Sequence, residues 1–336
     1  MADNAPTMGH KIIIDCDPGA DDALALYFAL SQPDLDLLAV TTTFGHLTVA
    51  QATRNALLLC TLAGRTDLPV CSGVATPTRK PTWWHDPEAS GADGLGDLPR
   101  RPTEAHGPDE RSAARCIVEL AQAYPGQLSL VCAGPLGNVA QALRLEPQLP
   151  ELLAQVVVAG GSVAAPGDVS PVAEANFWHD PHAADLVLTA GFKLTMLGLD
   201  VTQAAPLPLA LIERLAAQRP NPATETLLHA TRQHAGYQAR LAHGTVPACP
   251  APGLLGLAWL LQPDLFKTES GRVRVVPDGL AEGQSIMDRR EHVPYPQPGW
   301  ETRIPKIQAA LAVDAAACLA LVERSLLAKG LPSATG

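Results

Sequence analysis

Four carboxylates fall within eight residues in the run Ile12-Ile13-Ile14-Asp15-Cys16-Asp17-Pro18-Gly19-Ala20-Asp21-Asp22. An apolar, β-branched stretch leads into them, so they stand at the carboxyl end of a strand. Asp15 and Asp17 project to the same side of its period-2 backbone. Gly19 permits a sharp turn, and Asp21 and Asp22 open the next helix, where the dipole favours negative charge. Carboxylates this close repel, so either some hold protons or a cation sits among them. Their oxygens point to Ca²⁺ or Mg²⁺ rather than to zinc. A capped helix beside a solvated turn would explain one Asp-Asp pair better than it explains four acids at a strand end.

The elements that must position this cluster follow a repeating rhythm of short apolar run, Gly/Pro turn and Ala/Leu-rich helix. Strands are expected over 11–15, 37–43, 127–132, 155–159 and 192–197. Helices are expected over 21–30, 48–63 (closed by Gly64), 138–145 and 181–190. Near-continuous apolar strands alternating with helices predict an α/β fold, a doubly wound, mostly parallel sheet with helices on both faces. Ligands in such sheets bind beyond the strands' carboxyl ends. Residues 75–108, rich in Pro, Gly and polar side chains, read as a long surface excursion, and 204–252 as a Pro-punctuated helical cap. Residues 272–276 and 283–288 flank Pro277-Asp278-Gly279 as a hairpin, and 307–329 reads as one final amphipathic helix. No internal repeat or linker divides the chain, so a single large domain over 10–330 is expected.

Composition bounds the function. In 336 residues, 47 % are hydrophobic and 17 % charged, which allows a large core and excludes disorder and coiled coil. Lys and Arg number 24 against 34 Asp and Glu, a net charge of −10, and no basic run occurs. That balance argues against a nucleic-acid partner. No stretch reaches the roughly 18 unbroken apolar residues of a membrane span. The start, Met1-Ala2-Asp3-Asn4, lacks a signal-peptide pattern. Seven scattered cysteines, most inside apolar runs, read as reduced thiols and a cytoplasmic setting.

The acidic run resembles the Asp-x-Asp-x-Gly-x-Asp-Asp signature of the calcium-dependent nucleoside hydrolases, the inosine–uridine-preferring N-ribohydrolases. The likeness continues through Thr53-Arg54-Asn55-Ala56, Gly134-Pro135-Leu136-Gly137-Asn138, Gly160-Gly161, Glu174-Ala175-Asn176 and Asp180-Pro181. It extends to Leu199-Asp200-Val201-Thr202 and Gly283-Gln284-Ser285 with Asp288. In that family a Ca²⁺ ion chelates the ribose diol and an attacking water, and an Asp deprotonates the water as the N-glycosidic bond breaks. The resemblance implies that Asp17 is both metal ligand and general base, that Asp22 and the main-chain carbonyl of Ala133 are metal ligands, and that Asp15 supports the site. It implies that Asp21, Asp168, Glu174 and Asn176 bind the ribose, and it places His46 near the sugar. It further implies a small nucleoside substrate and a homodimer or homotetramer.

Three positions depart from the family pattern. Asp168 and His46 stand where an Asn is usual, and Ser90 stands where some members have a His. The largest departure is a His-Asp-Pro run, the His an acid toward the leaving base and the Asp a metal ligand. It falls on Pro252-Gly253-Leu254, where no side chain ionises or coordinates. His234, Tyr237 and His243 are candidate substitute acids. A second reading is therefore a non-catalytic or weakly active homologue that binds nucleosides or ribose. Phosphatases of the haloacid-dehalogenase type want Thr or Val where Gly19 stands. Gly91-Ala92-Asp93-Gly94-Leu95-Gly96 has the wrong spacing for a dinucleotide fingerprint, and no phosphate-binding Gly-x-x-x-x-Gly-Lys-Ser/Thr occurs.

Overall fold

The computed structural model describes residues 9–79, 87–241, 248–290, 295–300 and 303–329. Its strands in chain order are β1 (His10–Cys16), β2 (Leu35–Thr42), β3 (Val70–Ser72), β4 (Leu128–Cys132), β5 (Gln155–Ala159), β6 (Leu194–Leu197), β7 (Leu207–Pro208), β8 (Ala248–Cys249), β9 (Phe266–Val275), β10 (Ser285–Asp288) and β11 (Ile307–Val313). Nine of them form one sheet in the order β10-β9-β11-β6-β5-β4-β1-β2-β3, and β7 pairs with β8 as a separate two-stranded ribbon. Every pair from β11 to β3 is parallel, and β9 runs antiparallel to both β10 and β11.

Period-2 geometry in β1 builds two cores at once. Ile12 and Ile14 enter the layer packed by the helices Ala20–Ser31, Val49–Leu62 and Pro252–Leu261. Ile13 points the other way, into the layer of Ala113–Ala123, Gly137–Leu145 and Pro181–Leu188. Both faces of the sheet are thus covered, which is why its central strands carry near-continuous apolar runs such as Ile12-Ile13-Ile14 and Val156-Val157-Val158. Thr48 caps the helix Val49–Leu62 by accepting from Gln51 N–H, and Gly64 follows it at φ 69° in the left-handed region. The strand order steps outward on both sides of β1 and β4, so the carboxyl ends of these strands open a crevice between them.

The carboxyl-terminal helix is shorter than the sequence predicts. Residues Ile307–Val313 form β11, wedged between β6 and β9, and the helix begins only at Ala315. The Ala-rich composition favours helix, but pairing on both edges of a mixed sheet overrides that weak preference. Asp314 marks the boundary, accepting from Ala317 N–H at 3.0 Å. The excursion over 75–108 is also more than surface. Among its described residues Leu95 is fully buried and Ser90 nearly so. Gly96 O meets His229 Nε2 at 2.8 Å, and Gln233 Nε2 donates to Glu88 O, so the segment packs against the helix Pro222–Leu241. Residues 209–218 and 222–241 are helical, as expected of the cap segment. The hairpin around Pro277 appears as β9 and β10, with Ser285 opposite Val275. No helix among the described residues is long and apolar enough to cross a membrane. All seven cysteines are buried free thiols.

Candidate active site

Asp15 lies beneath the crevice rather than in it. It is fully buried at the end of β1, where Oδ1 accepts from Thr41 Oγ1 at 2.6 Å and from Asn138 Nδ2 at 2.7 Å. The Asn138 amide also donates to Thr42 O and accepts from Val74 N–H, so one side chain ties together the ends of β1 and β2. Burial pushes the Asp15 carboxyl up to about 6, against the pull of those two donors.

Asp17 follows the strand and faces the cavity. Its Oδ2 accepts from the His46 main-chain N–H at 2.7 Å. A Cβ at Gly45 would come within 2.3 Å of that oxygen, so only glycine lets the loop after β2 approach so closely. Asn55 Nδ2 donates to Pro18 O at 2.7 Å and holds the turn that follows. Asp21 and Asp22 stand in the first turn of the helix Ala20–Ser31, Asp22 buried and Asp21 half-buried. Burial first, and then the charge of Asp21, drives the carboxyls of Asp17 and Asp22 well above the ordinary range.

The opposite wall comes from the loop after β5. Glu174 caps the helix Ala175–His179, accepting from the N–H groups of Gly161 (2.8 Å), Asn176 (2.9 Å) and Phe177 (3.1 Å). Burial, with the neighbouring Asp168 charge second, raises its carboxyl to about 8. Asn176 Nδ2 donates to the main-chain oxygens of Ala133 (3.0 Å) and Ala159 (2.9 Å), bridging the ends of β4 and β5. Asp200 accepts from Val163, Ala164 and Ala165 N–H, and Ser285 Oγ bonds both the N–H and the carbonyl of Ser162, which fixes this loop from below. Asp168 stands at the mouth. Partial desolvation raises its carboxyl, and the His46 imidazole acts against that. The His46 ring packs edge-on against His179 at 5.5 Å.

One cavity of about 240 Å³ therefore gathers Asp17, Asp21, Asp22, His46, Ala133, Asp168, Glu174 and Asn176. Of the residues picked from the sequence, only Asp15 is absent from its lining. Ser90 and Pro252 line it as well, and so do His234 and Tyr237 from the helix Pro222–Leu241. His243 lies outside the described residues. Sequence reading missed Thr41 and the side-chain amide of Asn138 as the clamps on Asp15. It also missed Gln203 and Gln238, which line the cavity wall. Thr41 and Asn138 sit in segments whose strand and turn character was legible, but which side chain meets Asp15 is set by strand register. For Gln203 and Gln238 no local signal exists.

The fit to a cation can be tested on these atoms. Asp22 Oδ1 is buried without a hydrogen-bond partner. Asp17 has one oxygen not engaged by His46, and Ala133 O keeps a lone pair beyond its bond to Asn176. Among the described residues no three His, Cys, Asp or Glu side chains converge on a metal position. Two carboxylates and a carbonyl make an open, all-oxygen set, which fits a hard divalent cation completed by water or substrate oxygens. The register of the missing carboxylate is also visible. A Cβ at Gly253 would lie 3.4 Å from Asp22 Oδ1 and 2.9 Å from Ala133 Cβ, so this position faces the acidic cluster and contributes nothing to it.

The structure thus places buried carboxylates at the carboxyl edge of a doubly wound sheet, with a polar wall from the loop after β5 opposite them. The chain belongs to the inosine–uridine preferring nucleoside hydrolase family, whose model matches residues 12–320. It is 33 % identical over 318 residues to a probable uridine nucleosidase 2 of Arabidopsis thaliana, covering 94 % of this chain and 97 % of that one. It is 36 % identical over 282 residues to the pyrimidine-specific ribonucleoside hydrolase RihA of Enterobacter sp. (strain 638), covering 84 % and 88 %. Among solved structures, a plant nucleoside hydrolase superposes with a TM-score of 0.88 at 31 % identity, over 96 % of this chain and 99 % of its own. A purine-preferring ribonucleoside hydrolase from Gardnerella vaginalis gives 0.85 at 29 % identity, over 95 % and 99 %. The family is metal-dependent, and its members hydrolyse ribonucleosides to base and ribose.

Proposed function

We propose that this cavity hydrolyses the N-glycosidic bond of ribonucleosides with Asp17 as general base. The observation that carries the reading is the convergence of Asp17, Asp21 and Asp22 with Glu174 and Asn176 on one cavity. Asp17, Asp22 and the Ala133 carbonyl would hold a hard divalent cation, Ca²⁺ ahead of Mg²⁺ on the family resemblance. Such a cation, when bound, supplies positive charge that acidifies water and neutralises the clustered carboxylates.

The attacking water loses its proton to Asp17 as its oxygen bonds to C1′, and the C1′–N electron pair leaves with the base. Asp17 faces the cavity with one carboxylate oxygen held by the His46 N–H, which leaves the other to take that proton. Asp21 accepts from a ribose hydroxyl, and Glu174, Asp168 and Asn176 orient the rest of the sugar, with His46 beside it. Asp15 braces the floor. The segment 204–252 acts as a cap over the leaving base. The relatives named as uridine nucleosidases and pyrimidine-specific hydrolases put uridine first among substrates. Buried free thiols accord with a cytoplasmic setting, and the family resemblance with a homodimer or homotetramer.

Incubation of the full chain with uridine and Ca²⁺ tests the reading through free ribose. Wild type releases it, and Asp17→Asn, whose amide accepts no proton, loses that release while remaining folded. Ribose release by Asp17→Asn at the wild-type rate would place the base elsewhere. A wild type that binds ribose but cleaves no nucleoside would favour the binding-homologue reading, for which Gly253 is the motivating observation.

A further inference from the structure

Breaking the bond from C1′ to nitrogen leaves an electron pair on the base, and a nucleobase anion departs slowly at neutral pH unless a proton donor meets it. Pro252 and Gly253, beside Asp22, have no proton to give. His46 is turned to the sugar wall, with Asp168 near it and its ring against His179. Glu174, whose carboxyl is raised to about 8, is engaged by three main-chain N–H groups in the wall assigned to the sugar. The aspartates of the cavity are assigned to water and ribose, and the remaining described proton carriers of the lining come from the helix Pro222–Leu241. There His234, Tyr237, Gln238 and Leu241 recur at i, i+3, i+4 and i+7, and all four line the cavity.

We infer that His234 is the general acid that protonates the departing base. The inference rests on the nucleoside hydrolase reading above. Tyr237 shares the face, but its phenol is a weaker acid than an imidazolium, and a general acid works best with a pKa near the operating pH. The Arg240 guanidinium also lies 5.7 Å from its ring centre. The His234 imidazole is held in place: it bonds the Ala89 carbonyl, and its Nε2 stands 3.4 Å from Gln238 Nε2. Burial pulls it below the ordinary 6.5 and makes its imidazolium a stronger donor. The Asp21 charge and the Ala89 carbonyl act the other way without outweighing that burial. The protons balance. Water gives one to Asp17 and its oxygen to C1′, the base takes one from the imidazolium of His234, and solvent returns both groups to their starting states.

A donor to the leaving group matters in proportion to how badly the group leaves, and that separates this role from mere packing. Uridine and p-nitrophenyl riboside, whose phenolate departs unaided, are compared in wild type, His234→Gln and His234→Asn with Ca²⁺ present. Both variants are expected to lose about 10²–10⁴-fold in kcat on uridine and far less on the nitrophenyl riboside, whose turnover also reports an intact fold. Uridine turnover retained in either variant, or equal losses on both substrates in both variants, overturns the assignment and leaves His234 a wall of the pocket. Wild type that cleaves neither substrate overturns the hydrolase reading, and this inference with it.

Discussion

Glu174 accepts three main-chain N–H groups from within the protein, yet burial still raises its carboxyl from 4.5 to about 8. The folded chain therefore binds a proton that the unfolded chain releases at the lower value. This contribution to stability is fully present below that value and is lost as pH rises through about 8. Asp15, raised to about 6, has the same sign lower on the scale, and the pair Asp17 and Asp22 add to it. Chelator-treated wild type should thus melt at falling temperatures as pH climbs from about 5 to about 8. Glu174→Gln, neutral throughout, should flatten the upper part of that curve, between about 6 and 8. A thermal-melt series with an unchanged upper slope would show that the proton resides on another group. At this scale the sequence was informative about which acids matter and silent about their charge. Residue type and order picked out Asp17, Asp22 and Glu174, but the shifts come from burial and from neighbours distant in the chain, such as His46 beside Asp17.

Elements explain what was legible and what was not. Ile12-Ile13-Ile14 could be read as a buried parallel strand because both of its faces are covered, and β5 matched its expected span of 155–159 for the same reason. The run from Ile307 to Val313 was misread because four of its seven residues are Ala or Leu, which sit equally well in a helix. Only pairing with β6 and β9 makes it a strand. The signal that marked the true start of the helix was Asp314, an N-cap in front of Ala315–Lys329. Asp314→Ala should cost about 1 kcal/mol, the ordinary worth of such a cap. Urea unfolding would read this as a lower midpoint at unchanged slope. No shift in midpoint would mean that β11, rather than the cap, fixes where the helix starts. The cap segment shows the opposite limit. Its helices were foreseeable from composition, and His234 was one of three candidate acids in the sequence, but which face of Pro222–Leu241 meets the cavity is a tertiary fact that the sequence does not carry.

On the scale of the whole molecule, the acidic cluster is a liability to the empty fold and a source of stability to the loaded one. Asp17 and Asp22 are buried with their charges uncompensated by any Lys or Arg among the residues lining the cavity. A divalent cation that binds the folded state and not the unfolded chain stabilises it by about 2.7 kcal/mol at a hundred times its Kd. Spread over the unfolding entropy of a protein this long, that is a rise of roughly 4 °C in melting temperature. Gly253 sets where on the concentration axis the rise begins. With two carboxylates instead of three, ligand charge is reduced, and Ca²⁺ affinity follows ligand charge. The rise is therefore expected to set in at concentrations of roughly 10⁻⁴–10⁻³ M, the range of weakly charged sites, and to grow with the logarithm of concentration above that. Gly253→Asp is not a clean restoration, because its Cβ would press within 2.9 Å of Ala133 Cβ and force the turn after β4 to move. Removing a ligand is the better test. Asp22→Asn should abolish the Ca²⁺-dependent rise while leaving the chelated protein at least as stable as wild type, since a buried like-charge neighbour of Asp17 has gone. A Ca²⁺ titration of the melting temperature that rises equally in wild type and Asp22→Asn would show that the cation binds elsewhere.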